Sequence, residues 1–167
     1  MDFYEVIRKR RSVRAYEARA VSKDKLERVL EAAQQAPSAA NRQPYVFYVV
    51  QDEERRARLK EAYSQQWLVD APVAVCACTR PSEAWERVDG KNYADVDVSI
   101  AMEHLVLAAA AEGLGTCWIG AFNPEKLRAV LDIPPDLDPV ALTPLGHPAQ
   151  EPSATPRKSL EELVEYK

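Results

Sequence analysis

Five of the seven residues from Arg8 to Arg14 are cationic (Arg8, Lys9, Arg10, Arg11 and Arg14), and Ser12 stands among them. Guanidinium groups bind phosphate bidentately and a hydroxyl adds a further donor, so the segment has the chemistry to hold one small, highly charged anion. The plainer reading is a set of cations that offsets the dipole of a preceding helix and lies in solvent. The chain as a whole is acidic, with 22 Lys and Arg against 26 Asp and Glu and a formal charge of -4. That balance argues against bulk binding to nucleic acid or to a membrane, and favours a local pocket for a small anion. A second basic pair, Arg157-Lys158, stands far along the chain.

Other residue patterns narrow the chemistry. Pro37-Ser38-Ala39-Ala40-Asn41-Arg42-Gln43-Pro44 is a polar loop fenced by prolines, able to hold a fixed shape. Gly113, Gly115 and Gly120 follow a helix and enter a strand, the reverse of the dinucleotide-binding order, and their spacing does not fit G-x-G-x-x-G. There is no P-loop and no G-x-S-x-G, no cysteine with a recognisable histidine partner, and no paired-carboxylate motif. Cys76, Cys78 and Cys117 lie in apolar runs and suit reduced core thiols; with His104 and His147 isolated, no metal site is expected. Catalysis on such a chain would rest with a cofactor, a phosphate-bearing one held by arginine side chains.

The elements that must position these residues can be read from periodicity and caps. Asp2 with Glu5 is a capping box, opening a helix that runs into the arginines. Ser22 opens a second helix, stopped by Pro37, and Tyr45 to Val50 is a strand. Asp52 to Tyr63 reads as a charged surface helix and Pro72 to Thr79 as a strand buried on both faces. From Arg80 to Asn92 the pattern is lost, as in a lid or a surface excursion. A long helix from about Tyr93 to Glu112 ends at Gly113, and Asp95 and Asp97 near its start read as structural. Gly115 to Ile119 and Pro139 to Gly146 read as strands, Asn123-Pro124 as a helix start, and Ser159 with Glu162 as a last capped helix. With 167 residues, no internal repeat and no linker, residues 1–167 read as one domain. No export signal is recognised and no stretch is apolar enough to span a membrane, so a cytoplasmic protein is expected.

Four of these segments, in order, resemble the FMN-dependent nitroreductases, especially their short single-domain members. They are Arg10-Arg11-Ser12-Val13-Arg14, the fenced loop Pro37 to Pro44, Gly113-Leu114-Gly115-Thr116-Cys117-Trp118-Ile119-Gly120, and Arg157-Lys158. The resemblance implies an α+β fold, a central mostly antiparallel sheet flanked by helices, in an intertwined homodimer with FMN at the subunit interface. It implies that Arg10, Arg11, Ser12 and Arg14 hold the FMN phosphate and ribityl chain, with Arg157 and Lys158 as a second clamp. Pro37, Ser38, Ala39, Asn41 and Gln43 would reach the flavin from the other subunit, and the backbone of Gly120 and Ala121 would face its N5 and O4 edge. Asn41 and Gln43 could equally only shape their loop, and Gly120 only turn the chain.

Two departures stand out: Ala39 occupies a place where many members have a second serine, and the mid-chain polar contacts of larger members have no counterpart at Gln65, Gln66 and Trp67. The implied activity is that of an oxidoreductase in which NADH or NADPH reduces FMN and an electron-poor small molecule, a nitroaromatic or quinone, is reduced in turn. Alternatives are a specialised flavin reaction such as reductive dehalogenation, a flavin-binding protein without turnover, or a binder of another phosphorylated ligand.

Overall fold

A computed structural model of the chain describes residues 2–167. Its centre is a four-stranded sheet of β1 (Tyr45–Val50), β2 (Val73–Thr79), β3 (Gly115–Thr116) and β4 (Asp138–Gly146), ordered β1-β2-β4-β3 with every pairing antiparallel. β2 lies between two neighbours and is buried along its whole length, as its unbroken apolar run requires. Alternation sends Val73, Val75 and Ala77 to one face and Ala74, Cys76 and Cys78 to the other.

On the first face lie helix α2 (Lys23–Gln34) and helix α5 (Ala94–Ala111), which bury Leu26, Val29, Val98, Met102 and Leu105 against the sheet. On the second face, α4 (Gln66–Asp70) and α6 (Pro124–Leu131) bury Leu68, Leu127 and Val130. Each leucine-sized side chain so covered contributes about 1.5–3 kcal/mol relative to leaving it in water. α5 is held to α2 by a bidentate pair, Arg28 donating to both Glu112 carboxylate oxygens at 2.8 Å, and by Lys25, which donates to the Glu112 carbonyl. Gly113, at φ 73°, ends α5 in the left-handed region, and the next N–H, that of Leu114, donates to Ala109 at 2.8 Å. The three cysteines are free and buried, with the Cys76 and Cys78 sulfurs 3.6 Å apart in the core.

The capped starts stand where the residue patterns put them. Asp2 accepts from the Glu5 N–H at 2.9 Å to open α1 (Phe3–Lys9), Asn123 accepts from Lys126 at 3.0 Å to open α6, and Ser159 with Glu162 opens α7 (Leu160–Leu163). Three expectations are corrected. The helix expected over 52–63 is α3 (Glu53–Arg58) followed by a 3-10 turn, Leu59–Glu61. Leu59 and Ala62, three apart, are both buried, and a three-residue pitch keeps them on one face. The strand expected over 115–119 pairs at Gly115 and Thr116, then returns only as a bridge from Ile119 to Leu142, with Trp118 turned outward. The segment expected to be irregular is a small hairpin: Glu86 bridges Asn92, Arg87 N–H donates to Lys91 at 3.0 Å, and Trp85 meets Tyr93 edge to face. Among the described residues no helix is long and apolar enough to cross a membrane.

Candidate cofactor site

The arginine segment is stitched into the edge of the sheet. Ser12 forms a parallel bridge with Thr116, and the Val13 N–H donates to the Thr116 carbonyl at 2.8 Å. On the other side Tyr16 bridges Pro148, and N–H groups of Glu17 and Ala149 donate to His147 and Ala15, each at 2.9 Å. The buried Tyr16 hydroxyl donates to the Val13 carbonyl at 2.8 Å, and burial pushes its pKa up, so it remains a donor. Val13 seats directly on Gly115, where a Cβ would lie 2.7–2.9 Å from three Val13 side-chain atoms. Glycine at 115 is therefore what allows the arginine segment to lie against β3.

This stitching opens a cleft of about 490 Å³ between Arg10, Arg11, Ser12 and Arg14 on one wall and Gln150, Glu151, Ser153, Thr155 and Arg157 on the other. Among the described residues, neither the Arg10 nor the Arg14 guanidinium has a hydrogen-bond or ion-pair partner; that of Arg14 lies 5.9 Å from the centre of the Trp67 ring. Two guanidinium groups not engaged in an ion pair, beside a serine hydroxyl, have the chemistry to hold an anion, with the Glu151 carboxylate on the facing wall. Arg11 is committed elsewhere, donating to the carbonyls of Arg8 at 2.5 Å and Arg10 at 2.8 Å at the end of α1. Lys9 pairs with Glu5 at 3.2 Å, so the outer part of the cluster does serve the helix end and the solvated face. Arg157 donates to the Thr155 hydroxyl at 2.7 Å, while Lys158 is exposed and outside the cleft wall. Behind Ser12 sits Cys117, whose thiol burial pushes up and the neighbouring Arg14, Ser12 and Arg10 pull down.

The fenced loop folds into a 3-10 turn, Ala39–Asn41, with Ala40, Asn41 and Gln43 at φ 50°, 53° and 49°. Three non-glycine residues in the left-handed region within four positions cost on the order of 1–3 kcal/mol each, and such strain gathers at functional sites. The loop braces itself: Ser38 Oγ accepts from the Gln43 N–H at 3.0 Å, and Gln43 Nε2 donates to Asn41 Oδ1 at 3.1 Å. Arg42 ties it to the hairpin through the carbonyls of Glu83 and Ala84, at 3.3 and 3.2 Å. Asp97 holds it from below, accepting the Ala39 N–H at 2.9 Å. No residue of this loop lines the arginine cleft of its own chain.

Beyond Thr116 the chain passes Ile119, paired with Leu142, to Gly120 and Ala121, which are exposed. Among the described residues their two N–H groups meet no protein acceptor, and the Asn123 N–H, donating to Ala62 at 2.9 Å, fixes the turn from its far side. The structure thus joins Arg10, Arg11, Ser12, Arg14 and Arg157 in one cleft and leaves the fenced loop, Lys158 and the Gly120 turn outside it. The residue patterns missed Gln150, Glu151, Ser153 and Thr155, which lie in an aperiodic proline-rich stretch, and missed the loop-bracing role of Asp97.

A model of the nitroreductase family matches residues 7–89 and 60–147 of the chain. An inferred NADH dehydrogenase/NAD(P)H nitroreductase of Methanothermobacter thermautotrophicus is 36% identical over 157 residues, spanning 91% of this chain and 80% of that protein. An FMN reductase [NAD(P)H] of Bacillus subtilis is 34% identical over 164 residues, 88% of this chain and 66% of that longer protein. The crystal structure of a nitroreductase family protein from Clostridium difficile 630 superposes with a TM-score of 0.93 at 36% identity, covering 100% of this chain and 99% of that one. The chain belongs to the nitroreductase family.

Proposed function

We propose that residues 1–167 form one FMN-binding domain of an NAD(P)H-dependent oxidoreductase that works as a homodimer. The observation that carries the reading is the pair of partnerless guanidinium groups, Arg10 and Arg14, beside Ser12 at the wall of one cleft. A cofactor phosphate supplies the anion these groups lack, and the name of the Bacillus subtilis relative supports FMN as that cofactor. Arg157 closes the clamp from the opposite wall, with Arg11 shaping the near one and Lys158 adding positive potential outside. Gly120 and Ala121 offer two free backbone donors on the chain that leaves Thr116, suited to the polar N5 and O4 edge of the ring system.

Bound FMN would supply the redox chemistry, taking hydride from NADH or NADPH and passing electrons to an electron-poor acceptor such as a nitroaromatic or quinone. The protein's own part is to bind, orient and shield: no side chain need carry a proton or a covalent adduct. Pro37, Ser38, Ala39, Asn41 and Gln43 stand away from their own chain's cleft, which supports their delivery to the cofactor of a second copy. Exposed apolar side chains support the same assembly: Phe3, Tyr4 and Ile7 on α1, and Leu160, Leu163 and Tyr166 in and after α7. Anaerobic mixing of the flavin-loaded protein with NADH or NADPH tests the activity. Bleaching of the flavin followed by recovery of colour on adding a quinone or nitroaromatic is expected; flavin that neither nicotinamide bleaches would leave a binding protein without turnover.

A further inference from the structure

Asp97 is 1% exposed, in the first turn of α5, directly beneath the strained loop. One carboxylate oxygen accepts the Ala39 N–H at 2.9 Å; the other, Oδ2, is buried with no donor among the described residues. The Tyr45 hydroxyl, at the start of the strand that leaves the loop, is likewise buried and unpaired, and burial together with the nearby Asp97 charge raises its pKa. A half-satisfied carboxylate and an idle phenol in one core are a poor solution for stability alone, since buried polar groups normally find partners. What the carboxylate does accomplish is local: it grips the residue that begins the left-handed arch of Ala40, Asn41 and Gln43. On the opposite shoulder of the arch Arg42 reaches the hairpin through two long hydrogen bonds, and the Arg80 N–H donates to the Pro44 carbonyl at 2.8 Å where the loop enters β1, so Asp97 is the tie at the loop's entry.

We infer that Asp97 is a positioning residue of the cofactor site, holding the fenced loop, through the Ala39 N–H, in the shape in which it meets the flavin. The inference rests on the reading that this loop contacts FMN. It acts at a distance from the cofactor and adds to the phosphate clamp instead of replacing it.

Three substitutions separate this role from general support of the core. Ala39→Pro deletes the donor from the loop side: the position begins a 3-10 turn, where proline is tolerated, and Ser38 before it is already extended at φ -139° and ψ 156°. Asp97→Ala deletes the acceptor, and Asp97→Asn retains an acceptor oxygen for the Ala39 N–H. FMN dissociation constants are measured on the dimeric protein, with melting temperatures of the flavin-free forms recorded alongside. Asp97→Ala and Ala39→Pro are each expected to weaken FMN binding about tenfold, the worth of one charge-assisted hydrogen bond, with no further loss in the double variant. Asp97→Asn is expected to bind within about threefold of the parent.

Additive losses in the double variant, or parental FMN affinity in Ala39→Pro, would overturn the inference. Should Asp97→Ala fail to fold, the Ala39→Pro and Asp97→Asn affinities decide it alone. A parent protein that takes up no FMN defeats the functional reading itself, whereas a parent that binds FMN beside unaffected loop variants defeats only the role of Asp97.

Discussion

At the scale of single residues, the cluster from Arg8 to Arg14 divides by what each side chain touches. Lys9 and Arg11 are spent on α1, the Arg10 and Arg14 guanidinium groups line the cleft without an ion-pair partner among the described residues, and the charge run alone did not say which were which. The deciding neighbour is Gly115, about a hundred positions away in sequence, because the arginines reach the cleft only if Val13 can rest on a residue without a Cβ. Gly115→Ala is therefore expected to cost about 1–3 kcal/mol in denaturant unfolding and to weaken FMN binding with it. Val13→Ala in the same chain should restore part of both, since it removes two of the three atoms that the new methyl group meets. A Gly115→Ala protein with unchanged stability would show that the contact is not enforced.

At the scale of elements, the caps and the buried strand were legible because they depend on neighbours in sequence: Asp2 with Glu5, Asn123 before Pro124, Ser159 with Glu162, and the apolar run of β2. The hairpin after β2 and the short helix α4 were not, because the first is held by Trp85 against Tyr93 and the second by burial of Leu68 beneath the sheet. The α2 and α5 clamp is of this non-local kind too. Arg28 lowers the Glu112 carboxyl below its ordinary value through their paired hydrogen bonds. A depressed carboxylate contributes stability that is present above its unfolded pKa of 4.5 and lost as pH falls through the lower folded value. Arg28→Ala should therefore lower the melting temperature slightly at pH 7, by no more than a few degrees for so exposed a pair, and by progressively less as the pH is taken well below 4.5. An equal deficit at neutral and low pH would mean that the arginine acts through packing.

At the scale of the whole molecule, the α+β architecture with its antiparallel sheet was implied by four short motifs in order, and the chain belongs to the family they resemble. What motif order could not give is the far wall of the cleft, where Gln150, Glu151 and Thr155 carry no periodic signal, or the anchoring of the loop by Asp97, a contact across 58 positions. The candidate residues also fall into separate places on one copy, the arginine cleft, the strained loop and the Gly120 turn, and a second copy is what would bring the loop to a cleft. All of this rests on one claim, that the arginine cleft holds the phosphate of FMN. The direct test is titration of FMN into the purified parent and into the Arg10→Ala/Arg14→Ala variant, followed by flavin absorbance and fluorescence. The parent should turn yellow with one FMN per chain, and the double variant should bind at least about a hundredfold more weakly, since each charge-assisted contact removed is worth roughly 1.5–3 kcal/mol. A parent that stays colourless, or a double variant that retains stoichiometric flavin at low free FMN, would contradict it.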